Sequence, residues 1–275
     1  MDLNNLINKI GIKQKEENKA LNTYIENSNQ NNEKLETLLS KFKEIVSDKA
    51  APGKVDEYYN YIYKRINNFG IESVNILTDN LQAYEIIKDD YDKNAKFGLF
   101  LSALINKNLK AGEKVQITAL MPINFLFYKL ENAEAYVNIA GTNLGSRAKN
   151  SKIDANEAGK HAGYNMVGCE LHVNKAGDYF GNGAKNSRIY ADEAENRAGW
   201  VMEGCELYVK KANDSLGYGA ENSRIYADEA GDEAGPFMQN SKLFIYELNG
   251  KLAESCLKRK NKVYLGKESY DKFPE

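Results

Sequence analysis

The C-terminal half of the chain is a continuous run of 18-residue repeats. The octapeptide SRIYADEA occurs at Ser187–Ala194 and again at Ser223–Ala230, 36 residues later. Residues 115–132 fit the same register as an imperfect first turn. A fixed period of this length is typical of solenoid proteins, in which each repeat packs only on its neighbours. Six full units and a degenerate seventh begin at Ala133, Ser151, Cys169, Ser187, Cys205, Ser223 and Ser241.

Each unit contains a strand pattern followed by obligatory corners. The third position is apolar, the fifth is Val or Ala in the full units, and the eighth is Ala, so the first half of the unit shows the alternation of a strand. The eighteenth position is always Asn or Gly, the residues that best tolerate a left-handed backbone. An α-solenoid needs longer units and a propeller blade about 40 residues, so the pattern predicts a parallel β-solenoid. The thirteenth position is Gly in every full unit: Gly145, Gly163, Gly181, Gly199, Gly217 and Gly235.

The predicted core alternates between two compositions. One kind of unit has Ala, Ala and Met at positions 5, 12 and 16, and the other has Val, a large residue and Ala. Large and small side chains in adjacent layers interdigitate, so the true repeat is a pair of coils. This explains why SRIYADEA recurs after 36 residues and not after 18.

Charges also alternate from unit to unit. Position 2 runs Lys, Glu, Arg, Glu, Arg from Lys152 to Arg224, and position 7 runs Glu, Lys, Glu, Lys, Glu from Glu157 to Glu229. Because stacked strands lie about 4.8 Å apart, we expect opposite charges to be neighbours in both rows. Such rows also disfavour a slip by one coil.

The first 110 residues predict an α-helical domain, with residues 1–32 as a flexible segment. Apolar residues from Leu35 to Val46 recur at helical spacing, and two further stripes follow, one from Val55 to Ile66 and one from Leu77 to Tyr91. The next segment, Lys96–Lys107, is apolar around most of its circumference. An open solenoid end would expose unpaired backbone groups, so we expect this helix to cover it. The β-helix is predicted over 115–265 and a tail over 266–275.

The segments EAGKHAGYNMVGCELHV and AENRAGWVMEGCELYV resemble the pattern AGxxxGxxMxxGxIxV. This pattern belongs to the C-terminal domain of the glutamate synthase large subunit and to a β-helical subunit of formylmethanofuran dehydrogenase. The resemblance covers roughly residues 115–265. It implies a right-handed parallel β-helix with a mainly architectural role, packed against catalytic partners and binding no redox cofactor.

No group of residues has the spacing of a catalytic or metal site. Cys169 and Cys205 occupy equivalent corners two coils apart, about 9.6 Å along the axis and too far for a disulfide. Cys256 falls at a core position. His161 and a nearby serine could be imagined as part of a triad, but His161 and His172 fall at different positions of adjacent coils. We therefore predict no cofactor, no metal and no catalytic residue, and expect a protein that is not an enzyme.

Two surface features remain as candidate contact sites. Position 4 points outward and places aromatic residues on four consecutive coils, predicting either a stabilising ladder or a surface for a protein partner. The second is a basic cluster at the end of the solenoid, which predicts a solvated cap or a contact with RNA or an acidic protein. The aromatic residues are Tyr190, Tyr208, Tyr226 and Phe244, and the basic ones are Lys258, Arg259, Lys260 and Lys262.

Composition sets the function classes that we expect. The formal net charge is −2, three cysteines are too few for a disulfide framework, and no apolar run reaches transmembrane length. We expect a cytoplasmic scaffold or interaction protein within a larger assembly, with a protein partner or as a homodimer. The alternatives are an accessory subunit of a glutamate synthase-like or formylmethanofuran dehydrogenase-like redox complex, and a factor that binds a ribonucleoprotein such as the ribosome.

Overall fold

The computed structural model describes residues 32–48, 50–66 and 69–266. Its helical part contains α1 over residues 32–47, α2 (Val55–Arg65), α3 (Glu72–Thr78), α4 (Leu81–Ile87) and α5 (Tyr91–Asn108). The predicted flexible segment up to residue 31 and the tail from residue 267 lie outside the described residues. No helix among the described residues is long and apolar enough to cross a bilayer.

The helices pack around one shared core. The stripe on α1 is buried, and Phe42 lies 5.2 Å from Phe97 and 5.6 Å from Phe100 between ring centroids. The prediction of a single helix carrying Leu77 and Leu81 is wrong, because α3 ends at Thr78 and a separate helix, α4, begins at Leu81. Asn80 caps α4 by accepting a hydrogen bond from the Gln82 amide at 2.9 Å, as Asn does at helix N-termini.

The solenoid consists of about eight coils, and its strands form one parallel nine-stranded sheet in chain order. Six consecutive pairs of neighbouring strands confirm the predicted parallel register of 18 residues, for example Ile189 beside Leu207 and Tyr190 beside Tyr208. The strands are β1 (Lys114–Ile117), β2 (Glu134–Ala140), β3 (Lys152–Ala158), β4 (Glu170–Ala176), β5 (Arg188–Ala194), β6 (Glu206–Ala212), β7 (Arg224–Ala230), β8 (Lys242–Leu248) and β9 (Lys262–Leu265).

The register of the first turn differs from the prediction. The sequence places Ile117 at the third position, but Ile117 pairs with Val137 and so occupies the fifth. The Phe125 amide nevertheless donates to the Thr142 carbonyl, the hydrogen bond that the eleventh residue makes in the other coils. The chain therefore has two extra residues between Ile117 and Phe125. The Leu120 amide in this insertion donates to the Tyr84 hydroxyl at 3.1 Å, which ties it to the helical part.

The core alternates as predicted. Ala191, Ala198 and Met202 are buried in one coil, and Val173 and Phe180 are buried in the coil before it. The seven-residue strands β3–β7 bury positions 3, 5 and 8 and direct positions 2, 4, 6 and 7 outward. We call this outward side of β3–β7 the strand face.

The corner after each strand is built from two consecutive turns. In one coil the Tyr164 amide donates to the His161 carbonyl and the Met166 amide to the Gly163 carbonyl, at 3.1 and 3.2 Å. Gly163 has φ +75° and Asn165 has φ +53°, as the third residue of a type II turn requires. The same pattern of positive φ at positions 11, 13, 15 and 18 recurs along the solenoid.

Helix α5 covers the first coil, which confirms the predicted cap. Asn94 donates to the Pro122 carbonyl at 2.9 Å and accepts from the Asn124 amide at 2.7 Å. Ser102 donates to the Phe125 carbonyl at 2.9 Å. Asn106 lies one turn further and donates to the Tyr128 and Lys129 carbonyls. Because these polar side chains recur at helical spacing, one face of α5 satisfies backbone groups that an open end would leave unpaired.

Candidate functional site

A continuous row of aromatic rings runs along the strand face at position 4. The rings of Tyr190, Tyr208 and Tyr226 are nearly parallel, with centroids 5.0 and 4.7 Å apart. His172 extends the row at 4.4 Å from Tyr190, and Tyr264 ends it beyond Phe244. Each ring stacks on its neighbours because parallel in-register strands repeat the same position at this spacing.

The accessible part of the row is shorter than the sequence predicts. Phe244 is only 1% exposed, so its ring lies within the row and offers no contact area. Tyr190, Tyr208 and Tyr226 are half-buried, since their faces stack while their outer edges remain accessible. Burial, followed by the negative charge of Glu206, raises the pKa of Tyr208 to about 12. The row therefore presents neutral phenol edges at neutral pH.

A shallow groove of about 320 Å³ runs beside the rings, along the solenoid axis. The aromatic row forms one wall, and the position-6 side chains, Asn174, Asp192, Lys210 and Asp228, form the other. Its floor is the backbone at position 5, that is at Val173, Ala191 and Val209, whose side chains point into the core. Sequence analysis did not identify this groove.

The two charged rows that border the strand face behave differently. At position 2, Lys152 lies 3.1 Å from Glu170, and Arg224 lies 2.7 Å from Glu206. At position 7, no ion pair forms among the described residues, even though neighbouring coils carry opposite charges. The register thus confirms that opposite charges are neighbours in both rows, but of these two rows the described residues form close ion pairs at position 2 and none at position 7.

A second aromatic cluster lies at the corners, and sequence analysis missed it. Trp200 stacks on Tyr218 with centroids 3.9 Å apart, and His161 stacks on Tyr179 at 4.8 Å. Arg197 lies 5.2 Å from the centre of the Tyr179 ring and 5.1 Å from that of Trp200. Its members stand at positions 11 and 14 and not in one column, so inspection of a single position does not reveal them.

The candidate reactive side chains are held in structural positions. All three cysteines are free and buried, and burial raises the pKa of each thiol, that of Cys256 to about 11. Cys169 donates to the Val167 carbonyl at 3.4 Å, as Ser187 does to the Lys185 carbonyl. The corner position therefore favours a small side chain that can donate a hydrogen bond to the backbone carbonyl two residues earlier.

His161 lies within the aromatic cluster. Its Nδ1 atom is buried and has no hydrogen-bond partner, and burial followed by the charge of Lys160 lowers its pKa. Within the described ranges no serine hydrogen-bonds to it, so the geometry of a triad is not formed there.

The basic cluster lies at the far end of the solenoid from α5. Lys258, Arg259 and Lys260 are exposed in the turn before β9, and Lys262 is exposed as its first residue. None of the four pairs with an acidic side chain among residues 32–266 as described.

In the described part of the chain, no three His, Cys, Asp or Glu side chains lie close enough together to hold a metal ion. Comparison with known proteins found that no family model, no curated protein and no solved structure matches this chain.

Proposed function

We propose that this protein is a non-catalytic scaffold that acts within a larger protein assembly through its strand face. The observation that supports this most is the accessible row Tyr190, Tyr208 and Tyr226, beside a shallow groove. The recurring residues of the coil serve the core, the turns or the corner hydrogen bonds, while this row leaves ring edges exposed. Accessible aromatic area bordered by charges is typical of protein contact surfaces.

The test replaces Tyr190, Tyr208 and Tyr226 together with Ser. Cross-linking mass spectrometry in native extracts should show that complexes of the parent protein are reduced at least about tenfold in the variant. A matched control replaces Tyr179, Trp200 and Tyr218 with Ser, which removes stacking from the corner cluster only. Equal loss in both variants, or unchanged complexes with a lower melting temperature, would make the row purely structural. Turnover by the purified protein, abolished by His161→Ala, would contradict the scaffold role.

The exposed cluster of Lys258, Arg259 and Lys260 supports a second candidate, a factor that binds a ribonucleoprotein. Phosphate contacts release counterions, so binding would weaken steeply with salt. Co-purifying ribosomal RNA, lost when these three residues are changed to Ser, would favour this role. Co-purifying flavin or molybdenum proteins would instead favour the accessory role in a redox complex.

A further inference from the structure

We propose that the groove on the strand face is filled by the aromatic row of a second copy of this chain, in a dimer whose twofold axis runs parallel to the solenoid axis. This inference rests on the contact role proposed above for the strand face, and it adds the partner and the geometry. Two properties of the face carry it, its shape and its charge.

The shape argument follows from the spacing of the rows. A twofold axis along the solenoid reverses the strand direction of the partner but keeps the order of its coils, so each coil faces the same coil of the other copy. If the axis lies between positions 4 and 5, the rings of one copy stand over the backbone floor at Val173, Ala191 and Val209 of the other. Each row then enters the groove between the partner's aromatic row and its position-6 row. Both grooves are filled at once.

The same axis places position 2 of each coil opposite position 7 of the same coil in the second copy. In five consecutive coils these two positions carry opposite signs, although the sign at each position alternates along the solenoid. Position 7, which lacks ion pairs within the described part of the chain, gains one in every coil. The facing pairs are Lys152 with Glu157, Glu170 with Lys175, Arg188 with Glu193, Glu206 with Lys211, and Arg224 with Glu229.

A twofold axis along the strands is the competing arrangement. It reverses the order of the coils and, placed between β5 and β6, sets Arg188 opposite Glu206 of the other copy. Charges are again complementary, but position 4 then faces position 4. The rings within each row are only 4.7–5.0 Å apart, too close for a partner's ring to insert between them. The two rows would meet edge to edge and leave both grooves empty.

The size of the face fits a specific but modest dimer. Five strands spaced about 4.8 Å apart and six residues rising about 3.3 Å each give about 500 Å² per copy. The total of about 1,000 Å² is at the lower limit for a specific interface, so we expect association in the micromolar range.

Charge reversal in a single coil tests the geometry. We expect the parent to dimerise in sedimentation velocity, and Arg188→Glu or Glu193→Arg alone to weaken association at least about tenfold, because like charges then face each other on both sides of the axis. An equimolar mixture of the two variants should form a heterodimer with nearly the affinity of the parent, since both facing pairs are again of opposite sign.

Rescue by mixing reports only on contacts between copies. Within one chain, Arg188 neighbours Glu170 and Glu206, and Glu193 neighbours Lys175 and Lys211, so mixing repairs neither row. A parent that stays monomeric up to ~100 µM, single variants that associate like the parent, or a mixture without rescue would each overturn the proposal. The last result is the one that the competing axis predicts.

A second coil provides an independent pair of variants. Glu206→Lys and Lys211→Glu repeat the test if Arg188→Glu does not fold, as judged by circular dichroism. A failed rescue leaves the scaffold role open, because that role is judged by cross-links to other proteins. Conversely, equal loss of those cross-links in both aromatic variants would contradict the scaffold role. The dimer would still be decided by the charge-reversal and mixing experiments.

Discussion

At the scale of single residues, identical backbone conformations have different side-chain requirements. Gly217 and Gly219 lie in one corner with φ +72° and +62°. A Cβ on Gly217 would lie 2.3 Å from Cδ1 of buried Ile225, whereas one on Gly219 would lie 3.0 Å from Cγ1 of exposed Val201. We expect Gly217→Ala to lower the free energy of unfolding by about 2–5 kcal/mol, from left-handed strain plus overpacking, and Gly219→Ala by about 1–2 kcal/mol. Urea unfolding of both variants measures the difference, and equal losses would contradict the explanation.

The same contrast explains what the sequence could and could not predict about the corners. Glycine is constant at position 13 because its Cβ would enter the core, and this made the corner visible in the sequence. Positions 11 and 15 are left-handed too, yet they hold residues such as His161 and Val201, with φ +61° and +45°. Their side chains point away from the core, so no constant residue marks them, and the aromatic cluster to which position 11 contributes went unrecognised.

At the scale of elements, helix α5 approaches the first coil so closely that it needs a glycine. A Cβ on Gly98 would lie 1.7 Å from the Asn124 carbonyl oxygen. Helix propensity alone predicts that Gly98→Ala stabilises the protein by about 1 kcal/mol. We expect the opposite, a net loss of at least about 1 kcal/mol, because α5 must move away from the coil. Faster hydrogen exchange at the Asn124 and Tyr128 amides, which bond to α5, would locate the damage; a more stable variant would show that the contact is dispensable.

Periodicity predicted most elements but not their boundaries with irregular segments. The strands, their register and the capping helix follow from apolar spacing in the sequence. The break between α3 and α4 depends on the local cap at Asn80, which a stripe spanning Leu77 and Leu81 does not reveal. The shifted first turn depends on an insertion that the helical part accommodates through Tyr84. Both differences arise where a local or tertiary contact overrides the repeat.

At the scale of the whole molecule, the strand face carries the aromatic row, which the sequence predicts, and the groove, which it does not. The aromatic row follows from position 4 alone. The groove depends on where side chains of neighbouring positions lean. Among the described residues, the lack of ion pairs at position 7 depends on side-chain conformation, since both rows share one spacing between coils, so neither feature could be predicted from the sequence.

The helical part is also fastened to the solenoid by one carboxylate, whose titration can be measured. Asp56 on α2 accepts hydrogen bonds from the Tyr128 hydroxyl at 2.9 Å, from Lys129 at 2.7 Å and from Arg147 of the next coil. Partial burial alone would raise the pKa of Asp56, but the bonds from Lys129 and Tyr128 and the charge of Arg147 outweigh it and lower the pKa. Asp56 therefore stabilises the fold above the ordinary carboxyl pKa of about 3.9, and this stabilisation is lost as the pH falls through its lowered value.

Asp56→Asn should lower the free energy of unfolding by about 1 kcal/mol at pH 7, a value reduced from that of a buried charged hydrogen bond because the carboxylate is about one-third exposed. The difference from the parent should shrink as the pH falls below about 4, because protonation removes the same charge from the parent. Urea unfolding from pH 7 to pH 2.5 measures this convergence. Asp92→Asn is the control, since among the described residues the ion pair of Asp92 is with Lys96 of the same helix, and Asp92 is 71% exposed; it should change stability little at any pH. If the difference in unfolding free energy between the parent and Asp56→Asn stays constant with pH, the carboxylate acts through packing and not through its charge.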